Sequence, residues 1–371
     1  MIESTAAGVF GEAIASVRAV VSQLPIYTSE DINWAASVFR GANPSVAEIF
    51  DAMGYVGAWR TAHELPVMVM QDVLNTVAKS VDANCVVTHR LKRLPTIINK
   101  CKRYPDLALW EMQDLGGLRV ILNSSQEVYQ LNRLLEANPP AGFRDERVND
   151  YIAEPKRGYR SLHRIYSYTA ADEARSDELH IEVQLRSRLQ HAWATSNEIV
   201  GTFRREELKS NLGAPDWLRY FVLAGSKIAT QEGGKLDSKV KGATLDAELD
   251  VLEQKLHAFE KITGYSVTHM GTVEAFGPIY GEGFLVVALN LADNSVNVSI
   301  YRPEDFAAAQ AEYAWRERES LGDPNIDVVL VFMEDVKRIE EAYPNYFADT
   351  GDFLHAVYPD WKQRTTTKMI F

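Results

Sequence analysis

The sequence predicts an α+β fold: a small mixed sheet surrounded by helices, followed by a second, smaller α+β unit. Three observations carry this reading. Apolar residues fall at helical spacing through most of the first 80 positions, as in Ala47–Met53 and Pro66–Val81. Strand-like runs follow, Leu118–Leu122 and the alternating Ile181, Val183 and Leu185. A helix, strands and a further helix then recur after position 244, which marks a second layered unit.

The elements follow in order. Residues 8 to about 80 read as helices. Gly116-Gly117 opens the strand at 118–122. Ile181, Val183 and Leu185 alternate with His180, Glu182, Gln184 and Arg186, the period of a half-buried strand, and Gln190–Ile199 reads as a helix. Residues 231–242 form a polar, glycine-containing connector. Leu245, Leu249, Leu252, Leu256 and Phe259 make one helical stripe. Phe284–Leu289 and Val296–Tyr301 flank Asp293-Asn294 as a hairpin. Pro303 opens a helix, Val328–Phe332 is a buried strand, and the tail from Asp335 is helical with a break at Pro344. The expected organisation is a helical part at 1–80, a core at 81–215, a connector at 216–243 and a C-terminal unit at 244–371.

Bulk properties bound the class. A chain of 371 residues, 46% hydrophobic and 24% charged, is long enough for two or three domains. Two cysteines, Cys85 and Cys101, make neither a disulfide framework nor a zinc pair. No run approaches the roughly 20 apolar residues that span a bilayer, and the first residues lack the pattern of a signal peptide, so a cytoplasmic location is expected. Net charge is −12, which argues against general nucleic-acid binding. The charge is uneven, however: Arg90, Lys92, Arg93, Lys100, Lys102 and Arg103 form a strip with no acid among them. Local basic strips on an acidic protein suit a phosphate-handling site, and a solvated basic helix face is the competing reading.

Four segments carry chemistry. In Arg90-Leu-Lys92 with Lys100, guanidinium and ammonium groups suit a purine and phosphates. In Asp114-Leu-Gly-Gly-Leu-Arg119, an acid before a glycine-opened strand presents a carboxylate to a metal without crowding; read alone, Asp114 paired with Arg119 is a structural feature of a strand edge. In Pro155-Lys-Arg-Gly-Tyr-Arg160, continuing to His163, the aromatic Tyr159 suits base stacking, Lys156 and Arg160 suit phosphates, and His163 suits activation of a hydroxyl. A core histidine is the competing reading for His163. In Glu182-Val-Gln184-Leu-Arg186, three polar side chains share one strand face over an apolar one, a pattern for a site floor. Trp193, on the following helix, reads as core.

These blocks, in this order between about 85 and 200, resemble the RelA/SpoT family of pyrophosphokinases, and Trp59-Arg-Thr-Ala-His63 is similar to a helical lead-in of part of that family. The resemblance implies ATP as donor and Mg²⁺ as cofactor. It implies Asp114 and Glu182 as metal ligands and, with His163, as catalytic groups. Arg90, Lys92, Lys100, Arg119, Gln184 and Arg186 would bind ATP; Lys156, Tyr159 and Arg160 would bind the acceptor. Two departures matter. The spacer between Pro-Lys and Gly-Tyr is the single Arg157, shorter than the family often has. No His-Asp dipeptide occurs among the eight histidines, so the family's metal hydrolase domain is not expected. The short spacer, the basic strip and the extra C-terminal unit resemble the toxic branch, in which the acceptor is the 3′ end of tRNA and translation stops. GDP or GTP as acceptor, giving an alarmone, is the alternative, and a non-catalytic nucleotide sensor is a second. The layout also resembles CapRel-type fused toxin–antitoxin proteins. That likeness implies a built-in inhibitor, with Tyr343 and Tyr346 plugging the ATP site, and a phage protein as trigger.

Overall fold

The computed structural model of the chain describes residues 9–168, 179–204, 206, 208, 212–269, 273–276, 281–290, 292, 295–320, 323, 325–335, 339 and 350–360. The helical start resolves into α1 (Val9–Val21), α2 (Ser29–Arg40), α3 (Val46–Ala62) and α4 (Glu64–Lys79). Thr28 with Asp31, and Ser45 with Glu48, close reciprocal capping boxes that set the starts of α2 and α3. Helix α4 is buried on nearly every face. It lies between two sheets, and its buried Glu64 and Gln71 are satisfied by His89 of the first sheet.

The first sheet contains β1 (Val86–Leu91), β2 (Gly116–Leu122), β3 (Phe143–Asp150), β4 (Leu162–Tyr168) and β5 (Leu179–Ser187), in the order β1-β2-β5-β4-β3. Only β2 and β5 pair in parallel, so the sheet is mixed as expected. Helix α5 (Leu94–Arg103) follows β1, α6 (Ser125–Ala137) follows β2, and α7 (Arg188–Arg204) continues directly from β5. Val67 and Leu74 of α4, Leu131 and Leu135 of α6, and Leu118, Val120, Ile181 and Val183 of the strands share one core. Strands β1, β3 and β4 are additional to the sequence reading. Strand β3 is a charged sheet edge with little apolar alternation. Strand β4 is buried throughout, Arg164 included, so it lacks the alternation of a half-buried strand.

Helices α8 (Pro215–Gln231), α9 (Leu245–Leu256) and α10 (Ala258–His269) come next. The second sheet holds β6 (Val273–Phe276), β7 (Gly283–Asn290), β8 (Ser295–Tyr301) and β9 (Ile326–Met333), in the order β6-β8-β7-β9. The expected hairpin is β7–β8, in register from Phe284↔Tyr301 to Asn290↔Ser295. Helix α11 (Phe306–Glu319) covers this sheet, and α12 (Gly351–Val357) packs on α7 and α8. The predicted tail helix with its break at Pro344 lies largely outside the described residues, as do Tyr343 and Tyr346.

The later elements share cores with the earlier ones. Val86 and Ile121 of the first sheet pack with Leu285, Val287, Val329 and Val331 of the second. Leu65 and Met68 of α4 pack with Phe284, Phe306 and Phe332. Tyr358, just after α12, shares a 2.8 Å hydrogen bond with Tyr220 of α8.

Candidate active site

Strand register assembles the floor. Thr88, Arg119, Gln184 and His163 occupy one row across β1, β2, β5 and β4. Arg90, Gly117 and Glu182 occupy the next row. Directly opposed residues share a sheet face, and the polar residues of both rows line one groove. Helix α5 forms one wall through Thr96, Asn99, Lys100 and Arg103. The Lys156–Tyr159 turn, α7 and α8 form the other. Ten Lys or Arg side chains and six Asp or Glu side chains line this groove, a local positive excess on a chain of net charge −12.

Asp114, just ahead of β2, does not pair with Arg119. Its two oxygens accept from Lys92 Nζ at 2.8 Å and Lys100 Nζ at 2.9 Å. Burial pushes its pKa up, but the two ammonium groups outweigh burial and hold it below the usual carboxylate value. Glu182 accepts from His163 Nδ1 at 2.8 Å and from Gln184 Nε2 at 2.6 Å. Burial again opposes, yet these partners keep its pKa low, so both carboxylates are ionised at neutral pH.

On the acceptor side, Lys156 and Tyr159 exchange backbone hydrogen bonds of 3.3 and 3.1 Å across Arg157 and Gly158. Both central residues have positive φ, 56° and 83°, which is what a two-residue type I′ hairpin turn requires. The single-residue spacer seen in the sequence is therefore a tight turn. Gly158 is obligatory there: a Cβ would sit 2.6 Å from the Phe221 carbonyl oxygen. The turn is fastened from behind. Gly158 N–H donates to Asp237 at 3.2 Å, and Arg160 donates to the carbonyls of Gly158, Gly225 and Lys235 at 2.8–3.1 Å. The polar connector thus anchors the turn, and Arg160 faces backbone rather than the groove. Burial lowers the Arg160 pKa to about 10 against the pull of Asp237 and Glu232.

Tyr159 lines the groove, with Trp193 and Tyr151 at centroid distances of 6.1 and 5.8 Å. Its hydroxyl is 2.7 Å from His163 Nε2 and 2.8 Å from Arg186. Arg186 is 1% exposed, bonded to Gln184 Oε1 at 2.6 Å and placed 5.3 Å from the Tyr159 ring centre. It lies on the same strand face as Glu182 and Gln184, covered by Tyr159, and does not line the groove. Burial would raise the Tyr159 pKa, but Arg186 and His163 lower it. Burial would lower that of His163, but Tyr159 and Glu182 raise it. Trp193 is core as read, its indole N–H donating to the Phe221 carbonyl at 2.8 Å.

The structure thus brings Arg90, Lys92, Lys100, Asp114, Arg119, Lys156, Tyr159, His163, Glu182 and Gln184 into one groove, with Arg160 behind the turn and Arg186 under Tyr159. Sequence reasoning missed Tyr151, whose ring lies 4.6 Å from Lys156 Nζ, and Asp237. Tyr151 carried a signal as a second aromatic beside the Pro-Lys turn; Asp237, in a polar connector, carried none. Among the described residues no group of three or more His, Cys, Asp or Glu gathers that could hold a metal ion. No helix among them is long and apolar enough to cross a membrane.

Residues 89–200 match the family model described as the region found in RelA / SpoT proteins. The chain is similar to the small alarmone synthetase 1 of Bacillus subtilis bound to its product pppGpp, at 24% identity over 47% of this chain and 90% of that one, with a TM-score of 0.37. It is similar to a GTP pyrophosphokinase family protein of Streptococcus pneumoniae, at 22% identity over 52% and 93%, TM-score 0.39. It is also similar to smu.1046c of Streptococcus mutans UA159, at 23% identity over 50% and 96%, TM-score 0.38. No curated protein matches the chain. The matched region runs from within β1 to the penultimate turn of α7 and contains the floor residues except Thr88.

Proposed function

We propose that the protein is a pyrophosphokinase that transfers the β,γ-pyrophosphoryl group of ATP to a ribose 3′-hydroxyl. The single observation that carries this reading is the pairing of two ionised carboxylates, Asp114 and Glu182, with a cationic rim on one groove of a RelA/SpoT region. Phosphoryl-type transfer needs charge stabilisation and in-line positioning more than covalent participation. Arg90, Lys92, Lys100 and Arg119 would hold the ATP phosphates. As they do so, Lys92 and Lys100 would leave Asp114. The donor set fits Mg²⁺, which takes one or two carboxylates and completes its shell with substrate phosphate oxygens and water. Asp114 and Glu182 would hold it, and when bound it would neutralise charge developing on the phosphates. On the opposite wall Tyr159 would position the acceptor, Lys156 would meet its phosphate, and Glu182 with His163 would take the hydroxyl proton. Arg186 and Arg160 act through Tyr159 and the turn.

The 3′ end of tRNA is the acceptor we favour. Arg157, Arg219 and Lys239 extend the cationic lining beyond the ATP side, as a polyanion needs. Transfer there would stop translation. The C-terminal layer is read as a regulator of the same groove: Leu289, Asn325, Ile326 and Asp327 wall it, and Asp327 pairs with Arg93. Inhibition by Tyr343 and Tyr346 and release by a phage protein have the fused toxin–antitoxin resemblance as their support. The test is incubation with γ-labelled ATP and GDP, GTP or deacylated tRNA. Label in tRNA bears out the reading; label in GDP or GTP replaces it with alarmone synthesis; label in none leaves a nucleotide sensor.

A further inference from the structure

We infer that Glu317, on α11 of the C-terminal layer, is a positioning residue for the ATP side of the groove. It caps α5, the helix that carries Lys100. The inference rests on the pyrophosphokinase reading of that groove.

Helix α5 starts without a capping side chain of its own. Its N-cap residue is Arg93, which makes no capping hydrogen bond, and a proline follows in the first turn. The first N–H of a helix needs a partner when it is buried. Here the partner comes from 223 residues further along the chain: Leu94 N–H donates to Glu317 Oε1 at 3.0 Å. A carboxylate at this end also meets the positive pole of the helix.

The carboxylate is held firmly. Arg60 of α3 grips both its oxygens, at 2.8 and 2.7 Å, and the Tyr313 hydroxyl donates to it at 3.0 Å. Arg60 is 3% exposed and Glu317 8%. Burial opposes the charge on Glu317, yet Arg60, Leu94 N–H and Tyr313 keep its pKa below the usual value. A second tether stands beside the first, because Arg93 pairs with Asp327 of β9. Lys100 lies near the far end of the same helix, 2.9 Å from Asp114. A shift of the α5 start therefore moves the ammonium that faces the catalytic carboxylate. The two sheets share an apolar core, and α4 packs on the second sheet in another. The C-terminal layer thus completes the nucleotide site while also walling it, and α11 is the route by which a ligand of that layer would reach ATP affinity.

The test uses the full chain. Arg60→Met with Glu317→Leu removes cap and ion pair together, and apolar replacement of a buried pair is often tolerated. Glu317→Asp keeps the charge but withdraws it from Leu94. Binding of α,β-methylene ATP with Mg²⁺ is measured by calorimetry, and amide exchange is read at Leu94. Both variants should bind the analogue about 2- to 30-fold more weakly, the range of a lost N-cap. Leu94 should exchange faster, and acceptor KM should stay unchanged. Arg60→Met with Glu317→Gln, which restores a neutral acceptor for Leu94, should recover most of the affinity. Wild-type analogue affinity and Leu94 exchange in Glu317→Asp would overturn the inference, whether or not the double variant folds. So would a loss that falls equally on the acceptor. If the wild-type protein binds no ATP analogue, the pyrophosphokinase reading fails, and the inference with it.

Discussion

Tyr159 Oη and His163 Nε2 lie 2.7 Å apart, and the other ring nitrogen of His163 is 2.8 Å from Glu182. Tyr159 is thus both an aromatic surface on the groove and a link in a hydrogen-bonded chain that continues to Arg186. Two substitutions separate these roles. Tyr159→Ala should raise acceptor KM roughly 5- to 150-fold, the worth of ~1–3 kcal/mol of base stacking. Tyr159→Phe should leave that KM near wild type and lower kcat about tenfold, because His163 loses its partner. Steady-state kinetics against acceptor concentration checks both.

Asp114 and Glu182 are ionised for different reasons, two ammonium groups in one case and an imidazole with an amide in the other. Asp114→Asn should lower transfer by about 10²-fold or more. Glu182→Gln should lower it by roughly 10²–10⁴-fold, the range for a positioned proton-transfer group. Melting temperature should move little in Asp114→Asn, since its side chain and those of both lysines are 19–30% exposed. Single-turnover transfer alongside calorimetric melting tests this pair.

The Arg157-Gly158 turn makes a stability prediction. Gly158→Ala places a Cβ 2.6 Å from the Phe221 carbonyl oxygen and forces a side-chain-bearing residue to φ +83°. The conformation alone costs about 1–2 kcal/mol. Chemical denaturation should show at least that loss, with acceptor KM rising as the turn moves. Arg157 already sits at φ 56°, so Arg157→Gly should fold with no loss of stability.

His163 gives a pH dependence of defined sign. Its folded pKa is raised above 6.5. The stabilisation it brings as an imidazolium beside Glu182 is therefore complete below pH 6.5 and lost as pH rises through the folded value. The stability difference between wild type and His163→Gln should shrink as pH climbs above 6.5. In Glu182→Gln the His163 titration, followed by NMR, should move to lower pH.

Much of this site was legible because strand alternation and glycine spacing act locally. Glu182 and Gln184 share a face by the two-residue period alone, and Asp114 stands before β2 as its glycines suggested. What was illegible depends on tertiary partners. Arg186 and Arg160 read as ligands because an arginine in a motif looks the same whether it meets phosphate or other protein groups; Tyr159 and Gln184 engage the first, backbone carbonyls the second. Strand β4 hid because both its faces are covered. The cap on α5 comes from 223 residues away, beyond any local pattern. Tyr343 and Tyr346 lie outside the described residues.

The central claim is that a pyrophosphoryl group moves intact. Its most direct measurement follows ATP labelled at the γ-phosphate together with ATP labelled at the α-phosphate, in the presence of deacylated tRNA, GDP and GTP in separate reactions. The account predicts that γ-label enters an acceptor while α-label appears in AMP in equal amount, and that Glu182→Gln lowers both in step. Release of ADP in place of AMP, or γ-label recovered only as inorganic phosphate, would contradict it.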